Sequence, residues 1–459
     1  MRYKNLPALF ILILILSVAC RPETGGEESA GWLDGSPVEV DRSADKAAEG
    51  APLAMADVEY KEVVLEVEAS APAAEALAAA PMEEPMGDIP ASERAEGAPA
   101  VEVAQQESRL TAGEVDDNAR WDDYLLYLRD FSGPPVIKTD VSERHQIWVS
   151  DGDGRPALGA LVEISADGQE VARLRTHSDG RAYFFPRAYS DNQQGAPSQQ
   201  MAYDVQVTLG SETVNLTIPA GTSQREWQVV HPAAGREGDS VRLDVLFLID
   251  ATGSMADEIA QLKDNIQAIA AAIDTLPSRP DLRLAMTAYR DQNDAYVSRT
   301  FEFTPDVDAF EEALAEVRAD GGGDYPEDLN EALSRSVHTP EWRVEETVSL
   351  IFLVADAPPH LDYGQQNHYA VEMLEAAERG IKIYPIASSG LDEQGEYIFR
   401  QLAQATGGRF IFLTYGPEGP GTPGDETTFN VDQYTVSALD DLVVKIVEEE
   451  LAHQSASQQ

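Results

Sequence analysis

The chain has 459 residues, enough for two or three domains with buried cores. Its 81 acidic against 33 basic side chains give a formal charge of −48, which argues against nucleic-acid binding and against simple adsorption to an anionic membrane surface. That acidity favours solubility first and the capture of hard cations second.

The amino terminus reads Met1-Arg2-Tyr3-Lys4, then an apolar run from Leu6 to Ala19, then Cys20. Early positive charges followed by a short apolar run fit a signal peptide over 1–19; a bilayer span would need about 20 apolar residues. Cys20 is the only cysteine of the chain. With Ser17-Val18-Ala19 before it, the site resembles a bacterial lipobox, although Leu16 stands one place further from the cysteine than that pattern prefers. The resemblance implies cleavage before Cys20, lipidation of its thiol and stable anchoring through several acyl chains. Arg21 follows, so the Asp signal for inner-membrane retention is absent, and in a bacterium with two membranes the expected location is the outer one. The alternative is an ordinary signal peptide, which leaves an odd lone thiol in an oxidising compartment.

Residues 20–118 are rich in Ala, Glu, Pro and Gly and poor in aromatics, so they are expected to form a disordered acidic tether. Trp121–Phe131 is amphipathic and predicts a short helix. Short alternating strands then follow to Val230, punctuated by Asp153-Gly154, Asp167-Gly168 and Asp179-Gly180, strong hairpin signals. The expectation for 119–235 is a leading helix and a small β-sandwich of roughly seven strands. The run Val149 to Pro186, with His177-Ser178-Asp179-Gly180-Arg181, resembles the carboxypeptidase-regulatory or transthyretin-like sandwich. Asp151-Gly152-Asp153-Gly154 lacks the spacing of a calcium loop and is assigned to a turn.

From Leu243 strands alternate with helical patterns, which predicts an α/β domain over 240–455 built on a doubly wound, mostly parallel sheet. Val245 to Ile249 is a continuous apolar run, as a strand buried on both faces requires. Strands are further expected at Leu284–Tyr289, Thr300–Phe303 (an edge), Val348–Val354, Ile381–Ile386 and Phe410–Phe412. Helices are expected at 307–318, 327–338, near 368–379 and over 437–451.

The first buried strand ends at Asp250-Ala251-Thr252-Gly253-Ser254-Met255. In an open parallel sheet, ligands bind beyond the carboxyl ends of the strands at the switch point. One carboxylate and two hydroxyls on that turn can converge on an oxygen-seeking cation, though the same residue types also serve as helix caps. Further along, Leu350-Ile351-Phe352-Leu353-Val354-Ala355 ends at Asp356. Asp250-Ala251-Thr252-Gly253-Ser254 resembles the metal-ion-dependent adhesion site of von Willebrand factor type A (VWA) domains, with Thr252 in the first hydroxyl position. Tyr289-Arg290-Asp291, Gly321-Gly322-Gly323-Asp324-Tyr325-Pro326-Glu327-Asp328 and Asp356-Ala357-Pro358-Pro359-His360 resemble the branch found in alpha-kinase-associated proteins and hemicentin.

The resemblance implies metal ligation by Asp250, Thr252, Ser254, Asp324 and Asp356, with Asp291 behind them as an orienting group. Where many VWA domains supply a Thr from the middle loop, this chain offers Asp324, which either joins the ligands or caps the following helix. Three carboxylates around a divalent ion leave the site at a net negative charge and disfavour an acidic ligand from a partner. All-oxygen ligation suits Mg²⁺ first, with Ca²⁺ or Mn²⁺ as substitutes. His360, after two prolines, is assigned to the rim.

The expected function is metal-dependent engagement of a protein partner at the cell envelope. No Gly-x-x-x-x-Gly-Lys-[Ser/Thr] loop, Gly-x-Ser-x-Gly elbow or Asp-x-Asp phosphatase start supports an enzyme. A metal-dependent hydrolase or phosphotransferase, and a spacer with a vestigial site, are the alternatives.

Overall fold

The computed structural model describes residues 32–34, 109–192, 202–234, 241–419, 422–431 and 433–455. Cys20, the signal peptide and most of the expected tether lie outside them.

In chain order the first elements are β1 (Trp32–Asp34), β2 (Thr111–Val115), α1 (Trp121–Asp130), β3 (His145–Ser150), β4 (Leu161–Ala166), β5 (Gln169–Arg175) and β6 (Arg181–Phe184). They continue with α2 (Pro186–Asn192), β7 (Ala202–Leu209), β8 (Glu212–Pro219) and β9 (Glu226–Val230). Strands β6-β3-β9 form one small sheet and β5-β4-β7-β8 another. The alternating inward residues of both, among them Ile147, Val149, Val162, Ile164, Leu174, Val205 and Val207, meet in one apolar core. Asp167 and Gly168 both take positive φ (52° and 77°) at the β4–β5 turn, the hairpin conformation that an Asp-Gly pair favours.

The remaining elements are β10 (Arg242–Asp250), a 3₁₀ turn (Gly253–Asp257), α3 (Ile259–Asp274), β11 (Asp281–Tyr289), β12 (Ser298–Thr304), α4 (Val307–Glu316) and α5 (Leu329–His338). After them come β13 (Thr347–Ala355), α6 (Tyr369–Arg379), β14 (Ile381–Ala387), α7 (Glu393–Thr406), β15 (Phe410–Thr414), β16 (Ser437–Ala438) and α8 (Leu439–Ser455). Among the described residues the sheet order is β1-β12-β11-β10-β13-β14-β15-β2-β16. Strands β11, β10, β13, β14 and β15 run parallel, while β12, β1, β2 and β16 are antiparallel additions. Helices cover both faces: α3, α4 and α8 pack over Val245, Phe247 and Phe352 on one, α5, α6 and α7 over Leu246, Leu248 and Ile351 on the other. Helix α6 ends on Gly380 in the left-handed region, as a glycine cap does. Among the described residues no helix is long and apolar enough to cross a membrane.

Two expectations are corrected. The tether does not extend to 118, because Thr111–Val115 is a strand paired with β15 on one side and β16 on the other. Its sequence, Thr-Ala-Gly-Glu-Val, carries too little apolar periodicity to read as a strand; pairing on both edges supplies the stability. Thr300–Phe303 is not an edge, since β1 pairs on the outer side of β12.

Candidate metal centre

All of β10 except its first residue is buried, flanked in parallel register by β11 and β13. The chain leaves β10 for β11 on one side and later returns to β13 on the other. The crevice beyond the ends of β10 and β13 is therefore the switch point of the sheet. Asp250 is the last residue of β10, and Asp356 immediately follows β13.

The loop after Asp250 is held against the strand end. Asp250 Oδ1 accepts from the Thr252 backbone N–H (2.9 Å) and hydroxyl (2.7 Å), and Tyr289 OH donates to Oδ2 (3.1 Å). Thr252 Oγ1 lies 3.1 Å from Ser254 Oγ, which donates to Asp356 Oδ1 at 3.1 Å. Four of the five expected ligands thus form one continuous run of oxygens across the switch point. Cis ligands of an octahedral ion bound at 2.0–2.1 Å stand about 3.0 Å apart, so these spacings match adjacent corners of a Mg²⁺ coordination shell.

The middle loop between α4 and α5 closes over this turn. Gly253 N–H donates to Gly321 O (3.0 Å), and Gly322 takes φ +67°. A Cβ at Gly322 would stand 2.7 Å from Glu327 Oε1 and 3.1 Å from Thr252 Cβ. Only glycine allows that approach. Glu327 and Asp328 are both buried where this loop enters α5, at 3% and 1% exposure; the Glu327 backbone N–H donates to Pro358 O (3.1 Å). Glu327 Oε2 has no hydrogen-bond partner among the described residues. Helix α5 begins later than the pattern suggested, and its cap is Asp328, whose Oδ1 accepts from Glu331 N–H. The capping role considered for Asp324 therefore belongs to Asp328.

The electrostatics are one-sided. Burial pushes Asp250 and Asp356 above the usual carboxylate range, with the charge of Asp356 adding at Asp250 and that of Glu258 at Asp356. Burial and then the charges of Asp250, Asp291, Asp356 and Asp294 push Glu327 up to about 9. Among the described residues no Lys or Arg pairs with Asp250, Asp356 or Glu327. The nearby Arg290 is engaged instead by Ala251 O, Arg318 O and Asp320. Buried carboxylates without a cation, one with an orphaned oxygen, fit a hard divalent ion as the missing countercharge.

Asp324 and Asp291 gather with His360 beside this run. Each places a carboxylate oxygen within 4.8 Å of the other and of a His360 ring nitrogen; Asp324 is exposed, while Asp291 and His360 are buried. His360 is thus not a rim residue. Glu327 was missed as a site residue, although it stands in the quoted Gly-Gly-Gly-Asp-Tyr-Pro-Glu-Asp run; no local pattern distinguishes its carboxylate from the Asp before it or the Asp after it.

Residues 244–415 match the family model of the von Willebrand factor A domain, so the α/β part of the chain is a VWA domain. Alpha-protein kinase vwkA of Dictyostelium discoideum is 28% identical over 172 residues, which cover 37% of this chain and 27% of that protein. An ariadne-like RING finger protein of Acanthamoeba polyphaga mimivirus is 26% identical over 188 residues, covering 37% of this chain and 18% of its own length. The chain spans little more than a quarter of the length of these curated relatives, or less. The solved structure of proximal thread matrix protein 1 from the mussel byssus aligns with a TM-score of 0.31 and 13% identity over 46% of each chain.

Proposed function

We propose that this protein is a lipid-anchored component of a bacterial cell envelope whose VWA domain holds one Mg²⁺ and uses it to engage a protein partner. Ca²⁺ or Mn²⁺ would substitute. Asp250, Thr252, Ser254 and Asp356 would hold the ion, with Glu327 rather than Asp324 as the middle-loop carboxylate facing it. The observation that carries the reading is the unbroken run of oxygens from Asp250 through Thr252 and Ser254 to Asp356, spaced 2.7–3.1 Å apart at the sheet's switch point. The bound ion supplies a positive coordination centre; the chain's own residues orient it and exclude water beneath it, Tyr289 and Asp250 being fully buried. With three carboxylates around a divalent ion, the partner's contact is expected to be a neutral oxygen rather than a carboxylate.

The test is a calorimetric Mg²⁺ titration of the full chain and of Asp250→Ala, followed by capture from an envelope extract with and without a chelator. One Mg²⁺ equivalent lost in the variant, together with chelator-sensitive capture of a defined protein, supports the proposal. Identical captured proteins in both conditions would defeat it. Anchoring is tested separately, by lipid labelling that disappears in Cys20→Ala.

A further inference from the structure

Beside this centre, Asp291, Asp324 and His360 offer a second donor set of different chemistry. Asp291 follows the end of β11, Asp324 lies in the middle loop, and His360 lies in the loop after β13, so three separate segments converge. Carboxylates alone would carry little weight, since exposed acidic groups are common. The imidazole adds the independent observation. His360 is 5% exposed, and its Nε2 has no hydrogen-bond partner although it stands 3.9 Å from Asp291 Oδ1.

The surroundings fix how that nitrogen is presented. His360 Nδ1 lies 2.7 Å from Asp362 Oδ1, which can only accept, so Nε2 is the ring nitrogen left facing Asp291 Oδ1, 3.9 Å away. A carboxylate on the far nitrogen is the arrangement that orients a metal-binding histidine and raises its basicity. Tyr363 completes the support from the same loop. Its hydroxyl donates to both oxygens of Asp291 (2.9 and 2.8 Å), and its ring stacks on His360 with centroids 3.8 Å apart. Both buried donors are therefore held before any ion arrives. Asp324 is exposed, and one of its carboxylate oxygens already lies within 4.8 Å of both other donors.

We propose that Asp291, Asp324 and His360 form a second divalent-cation site, selective for a borderline first-row metal of the Zn²⁺ type rather than for Mg²⁺ or Ca²⁺. One imidazole nitrogen and two carboxylate oxygens favour such ions, whereas the all-oxygen set at Asp250 favours hard ones. Ligands of a tetrahedral ion bound at 2.0–2.1 Å lie about 3.3 Å apart. His360 and Asp291 would close by roughly 0.6 Å, a shift within side-chain reach. Three protein ligands leave a coordination position open, so this ion would add a second point of contact next to the first.

The test uses the full chain with Mg²⁺ in excess, so that the Asp250 centre is occupied, and titrates in Co²⁺ as a visible-absorption probe. One equivalent is expected to bind with a spectrum of mixed nitrogen and oxygen ligation, and Zn²⁺ should displace it. His360→Ala should weaken Co²⁺ binding about tenfold or more and remove the nitrogen signature. The rise in Tm with Mg²⁺ should persist in that variant, which also verifies that it folds. Asp324→Asn, at an exposed position, makes the same test without burial changes. In Asp250→Ala the Co²⁺ signal should remain while the Mg²⁺ response is lost, so failure of one site is separable from failure of the other. The proposal is overturned if Co²⁺ does not bind, if it binds equally well to His360→Ala and Asp324→Asn, or if only Asp250→Ala abolishes it.

Discussion

Replacing Glu450 by alanine should loosen the β-sandwich from the VWA domain and destabilise both. Glu450, on α8, is buried at the seam between them. Its Oε1 accepts from Lys382 Nζ (2.8 Å) and Tyr384 OH (2.7 Å). Its Oε2 accepts from Lys382 again (3.0 Å) and from the hydroxyl of Ser178, which lies in the sandwich. Alanine at 450 would leave the buried Lys382 ammonium without its ion-pair partner, with the charge of Asp179 nearby but not paired with it, a loss of about 3–5 kcal/mol. Ser178→Ala removes one bond to a charged group and leaves the pair intact, so about 1.5–3 kcal/mol is expected. Burial alone would lower Lys382, yet the charges of Glu450 and Asp179 hold it well above the ordinary lysine value. Lys382 in turn holds Glu450 below the ordinary carboxylate range against its own burial. The Glu450 contribution is thus present above its unfolded value and lost as pH falls through its depressed folded one; that of Lys382 is present below its unfolded value and lost as pH rises through its raised one. Guanidinium unfolding followed by tryptophan fluorescence reads the effect, with Trp148 and Trp227 in the sandwich and Trp342 beside the sheet. A loss below about 1 kcal/mol in Glu450→Ala would refute the reasoning, because it would mean that solvent reaches the ammonium freely.

The other predictions concern the site and the acid range. Saturating Mg²⁺ at a hundredfold excess over Kd should add about 2.7 kcal/mol to the stability of the wild type and nothing to Asp250→Ala, read by calorimetry as a shift in Tm. Gly322→Ala should weaken Mg²⁺ binding through the displaced Glu327 and Thr252, whereas Gly323→Ala, whose added Cβ would meet nothing within 4 Å, should not; parallel titrations compare the two. Burial, and then the charge of Lys382, lowers His177 to about 4. Below pH 6.5 the unfolded chain takes up a proton that the folded one refuses. Stability should therefore fall between pH 6.5 and 4 by on the order of 2–3 kcal/mol, and His177→Gln should flatten that slope in denaturation midpoints.

The sequence revealed most where burial is complete. The apolar runs of β10 and β13 and the acids that end them could be read directly, because a strand covered on both faces must be continuously hydrophobic and its ligand end must be polar. The Asp-Gly turn between β4 and β5 was equally legible, its backbone conformation being one few other residue pairs tolerate. What could not be read was set by partners distant in sequence. β2 lacks a pattern of its own, since Gly113 is there to let Phe412 and Tyr434 approach. Glu327 could not be told from Asp324 or Asp328, because which acid is left with an unpartnered buried oxygen depends on partners distant in sequence: Asp328 is taken up by Gln292, Gln365 and the start of α5, and Glu327 is not. His360 reads as a rim residue, because its burial comes from tertiary packing, with the Tyr363 ring stacked on its imidazole, that no local pattern announces.

The place of β2 bears on how this protein can be dissected. The chain contributes a strand to the α/β sheet, departs to build the sandwich, and only then returns to lay down β10. In three dimensions the sandwich is therefore an excursion from the larger domain rather than a bead before it. A fragment cut at the boundaries of the family match would lose β2 and α8 together, baring the hydrogen-bonding groups of β15 and the apolar surface beneath the missing helix. Such a fragment would invite strand-to-strand self-association, and any failure of it to bind an ion would say little about the intact molecule.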